Sequence, residues 1–227
     1  MSSIRRGKDS PQVDAVSSRN AIGRILGAAL TLITKRGDAH VTMAQIAKAA
    51  RVSRQAVYLH FADRAELMVA LARHLDDTLG LPAEIERLTA QPTGAQMLRG
   101  QVSLQARRNP ALWAVARAVE EVRRTDAAAE RAWQDRLANR LAGCRAIVAR
   151  LQVEGNLRPG LDPSGAADLL WTITSLRIWE DLVLERGWSA QKYQEHITRL
   201  LLEALTCASR NPDSLAEPRI EATLRGV

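Results

Sequence analysis

Apolar residues recur along this chain at helical spacing, and nowhere do they alternate as they would in a half-buried strand. The first run, from about Ser18 to Arg36, sets Ile22, Ile25, Leu26, Ala29, Leu30 and Ile33 on one face. Lys35 and Arg36 suit the negative end of that helix, and Gly37 suits the position just past it. Two short runs follow in residues 42–61. Thr42 is a good N-cap with Gln45 three positions on, the spacing of a capping box, and Ile46, Ala47 and Ala50 form an apolar side. Ser53 is a second N-cap between Val52 and Val57, and Phe61 closes the unit. Two short helices joined by a tight turn predict a helix-turn-helix, whose second helix enters a major groove. Asp63 and Glu66 then open another helix, with Leu67, Leu71 and Leu75 as its stripe, until Gly80 and Pro82 stop it.

From Glu84 the pattern stays helical, with predicted segments at 84–90, 95–108, 110–124, 126–154, 163–186 and 190–207. The expected breaks are Gln91 to Gly94, Asn109-Pro110, Thr125-Asp126, Gly155 to Pro163, and Gly187 to Ser189. The last two segments are apolar over much of their circumference, so each has two faces to bury. The fold class is therefore all-α: an N-terminal three-helix helix-turn-helix domain, then a larger helical domain. The expected boundaries are a disordered basic arm at 1–17, the helix-turn-helix domain at 18–66, the helical domain at 67–208 and a loose tail at 209–227. Arg5, Arg6 and Lys8 could reach DNA from the arm, although an inert tail is the plainer reading.

Charge sharpens this picture. The net charge is +7, and residues 1–75 carry 12 Lys and Arg against 5 Asp and Glu. The remainder is balanced, so all the excess positive charge accompanies the helix-turn-helix. That is the electrostatic footprint of phosphate binding. No run approaches the ~20 apolar residues of a membrane span. The N-terminus lacks the apolar core of a secretory signal, so a cytoplasmic protein is expected, with no membrane partner.

The motif Tyr58-x-His60-Phe61, followed by Arg64 and Glu66-Leu67, resembles the DNA-binding element of the TetR/AcrR family of regulators. Gly37, Val41-Thr42, Ile46-Ala47, Ala50, Val52-Ser53 and Val57 extend the resemblance over residues 19 to about 71. It implies a homodimeric transcriptional regulator, a repressor released from a palindromic operator on double-stranded DNA by a small-molecule effector. Arg54 and Gln55 are then placed for base edges, with Ala56 permitting close approach. Thr42, Ser53, Tyr58, His60 and Arg64 are placed for phosphates. Two departures stand out: Arg51 occupies the turn position where glycine is usual, which predicts a reshaped or strained turn, and Leu59 replaces a polar or basic residue.

The resemblance also implies an effector pocket and a four-helix seam between copies. All five tryptophans lie beyond residue 110. Trp113 and Arg117, Trp133, and the series Trp171, Ser175 and Trp179 are the candidate pocket residues; core filling is the alternative use of these rings. Ile173, Leu176, Tyr193, Ile197, Leu200, Leu201 and Ala204 are the candidate seam. No catalytic constellation, metal-ligand spacing, P-loop or dinucleotide fingerprint occurs, so neither enzyme activity nor a cofactor is expected. Cys144 and Cys207 read as small buried hydrophobes. Two other readings remain: an architectural or division-control DNA-binding protein on the same fold, and a helical ligand-binding protein with a vestigial DNA domain.

Overall fold

The computed structural model describes residues 11–36 and 41–207. The described residues form helices α1 (Pro11–Arg36), α2 (Met43–Ala50), α3 (Arg54–His60), α4 (Arg64–Thr78), α5 (Leu81–Thr89), α6 (Gly94–Val122), α7 (Ala127–Val153), α8 (Pro163–Ile173), α9 (Leu176–Trp179) and α10 (Ala190–Leu205). A π-helical turn, Glu180–Glu185, continues α9. Among the described residues one isolated β-bridge, between Leu157 and Thr206, joins the loop after α7 to the end of α10. Gly37, His40 and the tail from residue 209 lie outside the described residues.

Short-range signals set most helix starts. Thr42, Ser53, Asp63, Thr93, Asp126, Asp162, Ser175 and Ser189 each cap the following helix with a side-chain oxygen. Three expectations need correction. Helix α1 already includes Pro11 to Ser17, expected as part of a disordered arm. Helix α6 runs unbroken through Asn109 and Pro110. Proline removes the N–H that would have met the Ala106 carbonyl, and burial on both sides of this point outweighs that loss. Conversely, the single helix expected over 163–186 breaks after Ile173. The Thr174 hydroxyl donates to the Leu170 carbonyl (2.6 Å), and Ser175 starts a new helix by accepting from the Ile178 N–H (3.3 Å).

Two apolar cores result. The first gathers Ile25, Ile33, Ile46, Val57, Leu67 and Leu71, and takes in Val115, Ala118 and Val119 from the C-terminal half of α6. Its apolar stripe runs through α4 to Leu75, across the boundary expected at residue 66. The second core joins Leu98 and Val102 of α6 to Ile147 and Leu151 of α7, Leu170 of α8, and Tyr193, Ile197 and Leu201 of α10. Helix α6 thus changes core near Pro110, and Trp113 packs against both. At its start α6 comes so close to α7 that a Cβ on Gly94 would meet the Leu151 backbone nitrogen at 2.8 Å.

Candidate nucleic-acid interface and interior polar site

Helix α2 opens on a complete capping box. The Gln45 N–H donates to the Thr42 hydroxyl (3.3 Å), and the Thr42 N–H to the Gln45 side-chain oxygen (2.9 Å). The turn then closes through Arg51 in the left-handed region, at φ 55 and ψ 45. The Val52 N–H reaches back to the Ala47 carbonyl (3.1 Å), the long bond of a Schellman closure. Of the two alternatives for this turn, strain at Arg51 is the one observed: the geometry is kept without glycine. Ser53 restarts the chain by accepting from the Ala56 N–H at 3.0 Å.

Helix α3 buries Val57 and turns Arg54, Gln55, Tyr58 and Leu59 outward. Gln55 and Leu59 are one turn apart and share a face. Leu59 is 81% exposed, which is extreme for leucine and unforeseen from the sequence as part of an interface. Ala56 and His60 are half-buried at the edge. Lys48 and Arg51 are exposed beside the turn and add positive charge there. Arg64 points elsewhere: its Nε donates to the Val41 carbonyl (3.3 Å), and its guanidinium pairs with Glu121 of α6 at 3.1 Å. Expected as a phosphate contact, it is engaged within the chain.

Residues 25–71 match the family model of the bacterial regulatory proteins, tetR family. That stretch is a TetR-family DNA-binding region. No curated protein matches it. Among solved structures, a transcriptional regulator from Saccharomonospora viridis in complex with choline has a TM-score of 0.72 at 19% identity, covering 83% of this chain and 98% of that one. FadR from Bacillus subtilis, in complex with stearoyl-CoA, has a TM-score of 0.65 at 17% identity, covering 80% and 97%. NalD from Pseudomonas aeruginosa, the secondary repressor of the MexAB-OprM efflux pump, has a TM-score of 0.61 at 24% identity, covering 84% and 98%. At these identities the likeness is one of fold. The family match itself is confined to the helix-turn-helix region.

In the helical region beyond the family match, the candidate pocket residues scatter. Arg117 is exposed and pairs with Glu120 on the surface (3.1 Å), so it lines no interior. Spacing of four from Trp113 put both on one side of the helix, but the rim of that side is wet. Trp133 stacks under Arg123, 5.1 Å from Cζ to the ring centroid, beside the first core. Ser175 spends its oxygen on the α9 cap. Trp113, Trp171 and Trp179 remain inside, and each has a buried indole N–H with no partner among the described residues.

The residue that reasoning from sequence missed is Arg140. Its guanidinium lies 4.3 Å over the Trp171 ring and donates to the Trp171 carbonyl (2.7 Å) and the Thr174 hydroxyl (3.4 Å). Burial lowers its pKa, while the neighbouring Cys144 and Tyr193 act to raise it. Burial in turn pushes the Cys144 thiol up to about 11 and the Tyr193 phenol up to about 12, with Arg140 opposing both. Nearby, Asp76 of α4 is gripped from two helices, by Arg108 of α6 (2.5 Å) and by Arg136 of α7 (2.5 and 3.0 Å). Arg136 and Arg140 are one turn apart on α7, which could have flagged the pair, but the sequence carries no sign of which arginines point inward.

The candidate seam residues divide as well. Tyr193, Ile197 and Leu201 are 0%, 4% and 1% exposed inside the chain's own second core. Their stripe on α10 is consumed by α6 and α8 and offers almost no surface to another molecule. Leu176 and Ala204 are half-buried against the same core. Ile173 and Leu200 do face outward, with Ile178, Leu182 and Trp188, along an apolar groove between α8–α9 and α10.

Proposed function

We propose that this protein is a homodimeric repressor that binds a palindromic operator through α3 and leaves it when a small molecule occupies the helical region. The observation that carries the proposal is the outward face of α3, Arg54, Gln55, Tyr58 and Leu59, on the N-terminal third of the chain, which holds all the net positive charge. Arg54 and Gln55 sit at the N-terminal end of the recognition helix, where side chains meet base edges. Tyr58 combines a ring for packing with a hydroxyl for a phosphate. Thr42 and Ser53 accept from amides through their oxygens and keep an O–H to donate to phosphates. His60 stands at the edge of the same surface.

Two recognition helices related by a two-fold axis match a palindromic site. The groove of Ile173, Ile178, Leu182, Trp188 and Leu200 supports a second copy as the other half of the seam. The choline of the S. viridis regulator and the stearoyl-CoA of FadR support effector binding by this fold without naming an effector for this chain. Genome-wide binding followed by a gel shift on the best site tests the reading. One or a few palindromes beside promoters are expected; many sites scattered along the chromosome would favour an architectural role instead.

A further inference from the structure

Charge and hydrogen-bond capacity are out of balance in the interior between α6, α7, α8 and α10. Arg140 enters it from α7, whereas Arg108 and Arg136 turn to Asp76 of α4, the only carboxylate paired with any of the three among the described residues. Asp76 is shared by Arg108 and Arg136, so Arg140 holds its charge against a carbonyl, a hydroxyl and an indole face. Arg140 is half-buried, and a charge withdrawn from water without a counter-ion is unfavourable until an anion pairs with it. The orphaned groups lean the same way. Asn109 Nδ2 and the indole nitrogens of Trp113, Trp171 and Trp179 are buried donors without acceptors, and the Tyr193 hydroxyl lacks a partner too. Asn109, Trp179 and Tyr193 are 4%, 2% and 0% exposed, so water does not reach them freely. Against these donors stands one orphaned pure acceptor, Gln105 Oε1. Gln105, Asn109 and Trp113 follow one another at four-residue spacing on α6, and so share a face.

We infer that the effector is a small organic anion with an apolar body, its anionic end held by Arg140 and the orphaned indole and amide donors, its body against the tryptophan rings. The inference rests on the effector-responsive reading above and names its ligand class. A carboxylate supplies two acceptor oxygens and the missing charge in one group, and a guanidinium meets it with paired N–H bonds. A cation would add to an interior that already carries excess positive charge.

The test uses the full chain and matched probes: decanoate and naphthaleneacetate, their primary amides, and the amines of the same carbon skeletons. Binding is read from quenching of tryptophan fluorescence and from the shift in Tm. Each acid is expected to bind about tenfold or more tightly than its amide, and the amines least. Arg140→Gln should erase that preference while leaving amide binding within about threefold. Arg140→Lys, which keeps the charge, should retain the order of acid over amide at lower affinity. Circular dichroism reports folding; if Arg140→Gln does not fold, the Lys variant and the unaltered chain still decide. Tighter binding of amide or amine than of acid by the unaltered chain, or no binding of either acid, overturns the inference. Failure of the parent reading looks different. Release of operator DNA by an amine or amide alone keeps the effector and sinks the anion. An acid that binds through Arg140 without changing operator affinity keeps the anion site and sinks effector control.

Discussion

Arg64 at the start of α4 holds Glu121 near the end of α6 at 3.1 Å. This pair ties the helix following α3 to the helix that carries Trp113, and so spans the two regions that a ligand-responsive regulator must couple. It also removes Arg64 from the surface where a phosphate contact was expected. Glu121→Gln should weaken that hold and let Arg64 swing toward DNA. Affinity for random duplexes should then rise a few-fold, with the slope of log affinity against log salt steeper by up to about 0.9 per half-site. Fluorescence anisotropy across a salt series measures both. Unchanged affinity and slope would mean that Arg64 stays fixed by its other contacts.

The outward face of α3 should separate by mutation into readers and positioners. Arg54→Ala or Gln55→Ala should cost about 1–3 kcal/mol on the best operator and little on random DNA. Tyr58→Phe should weaken both alike, because a phosphate contact carries no base information. Leu59, exposed one turn beyond Gln55, has only apolar atoms to offer, and the group that complements it in the major groove is the thymine methyl. Operators with deoxyuridine for thymidine should bind the unaltered protein more weakly, and Leu59→Ala should abolish that difference. Equal losses on specific and random DNA for every variant would contradict the division.

Arg51 keeps a left-handed turn that glycine would hold without a Cβ penalty. Its side chain is exposed, so replacing it removes backbone strain and no packing. Arg51→Gly should therefore stabilise the fold by roughly 0.5–1 kcal/mol, net of the greater freedom glycine has when unfolded. Chemical denaturation gives the number. At the same time the variant loses a positive charge beside α3, and its DNA affinity should fall modestly at low salt. A loss of stability would show that Arg51 makes a compensating contact in solution.

How much of this was legible in the sequence depended on range. The helix-turn-helix could be read because Thr42, Gln45, Ser53 and Asp63 act within three residues of themselves, and the structure shows their caps as expected. Pro110 misled because a local helix breaker was outweighed by contacts α6 makes with distant segments. The break after Ile173 was hidden because Thr174 and Ser175 compete with the helix through their own hydroxyls, a choice that apolar spacing does not record. Arg117 and Arg140 look alike in a sequence; one is on the surface and one stacked on Trp171 only because of how α6, α7 and α8 cross. The α10 stripe was correctly apolar, but periodicity says that a face is buried, not by what.

The two cysteines should differ sharply in reactivity. Cys144 is buried, and its thiol is pushed up to about 11 by that burial, whereas Cys207 is half-exposed. The thiolate is the reactive form, so at pH 8 iodoacetamide should label Cys207 first and Cys144 only on unfolding. The sign of the linkage follows. Folding holds the proton on Cys144 and on Tyr193, whose phenol rises to about 12, while the unfolded chain releases both near their ordinary values. Their contribution is full below about pH 8.5 and is lost progressively as pH rises toward 12. Tm should fall over that window, and less steeply in Cys144→Ala. Peptide mass spectrometry of labelled protein checks the first statement and a pH series of thermal melts the second.

The seam makes the most direct claim about assembly. Leu201 faces the chain's own core, so a charge there would unfold the monomer and say nothing about dimers. Leu200 is 48% exposed on the groove with Ile173 and Trp188, and a charge there is harmless to a monomer in water. Leu200→Glu should leave the helical content and Tm of the isolated chain nearly unchanged. In a dimer the same carboxylate would be pressed against its two-fold mate among apolar side chains, a cost that Arg199 on the same groove offsets only in part. Sedimentation should therefore show a folded monomer at concentrations where the unaltered protein is dimeric. Each monomer then presents one α3, and operator affinity should fall by far more than affinity for an isolated half-site. Leu200→Ala, which removes apolar contact without adding charge, should weaken the dimer by less. A folded dimer of Leu200→Glu that binds operator as tightly as the unaltered chain would move the seam off this groove altogether.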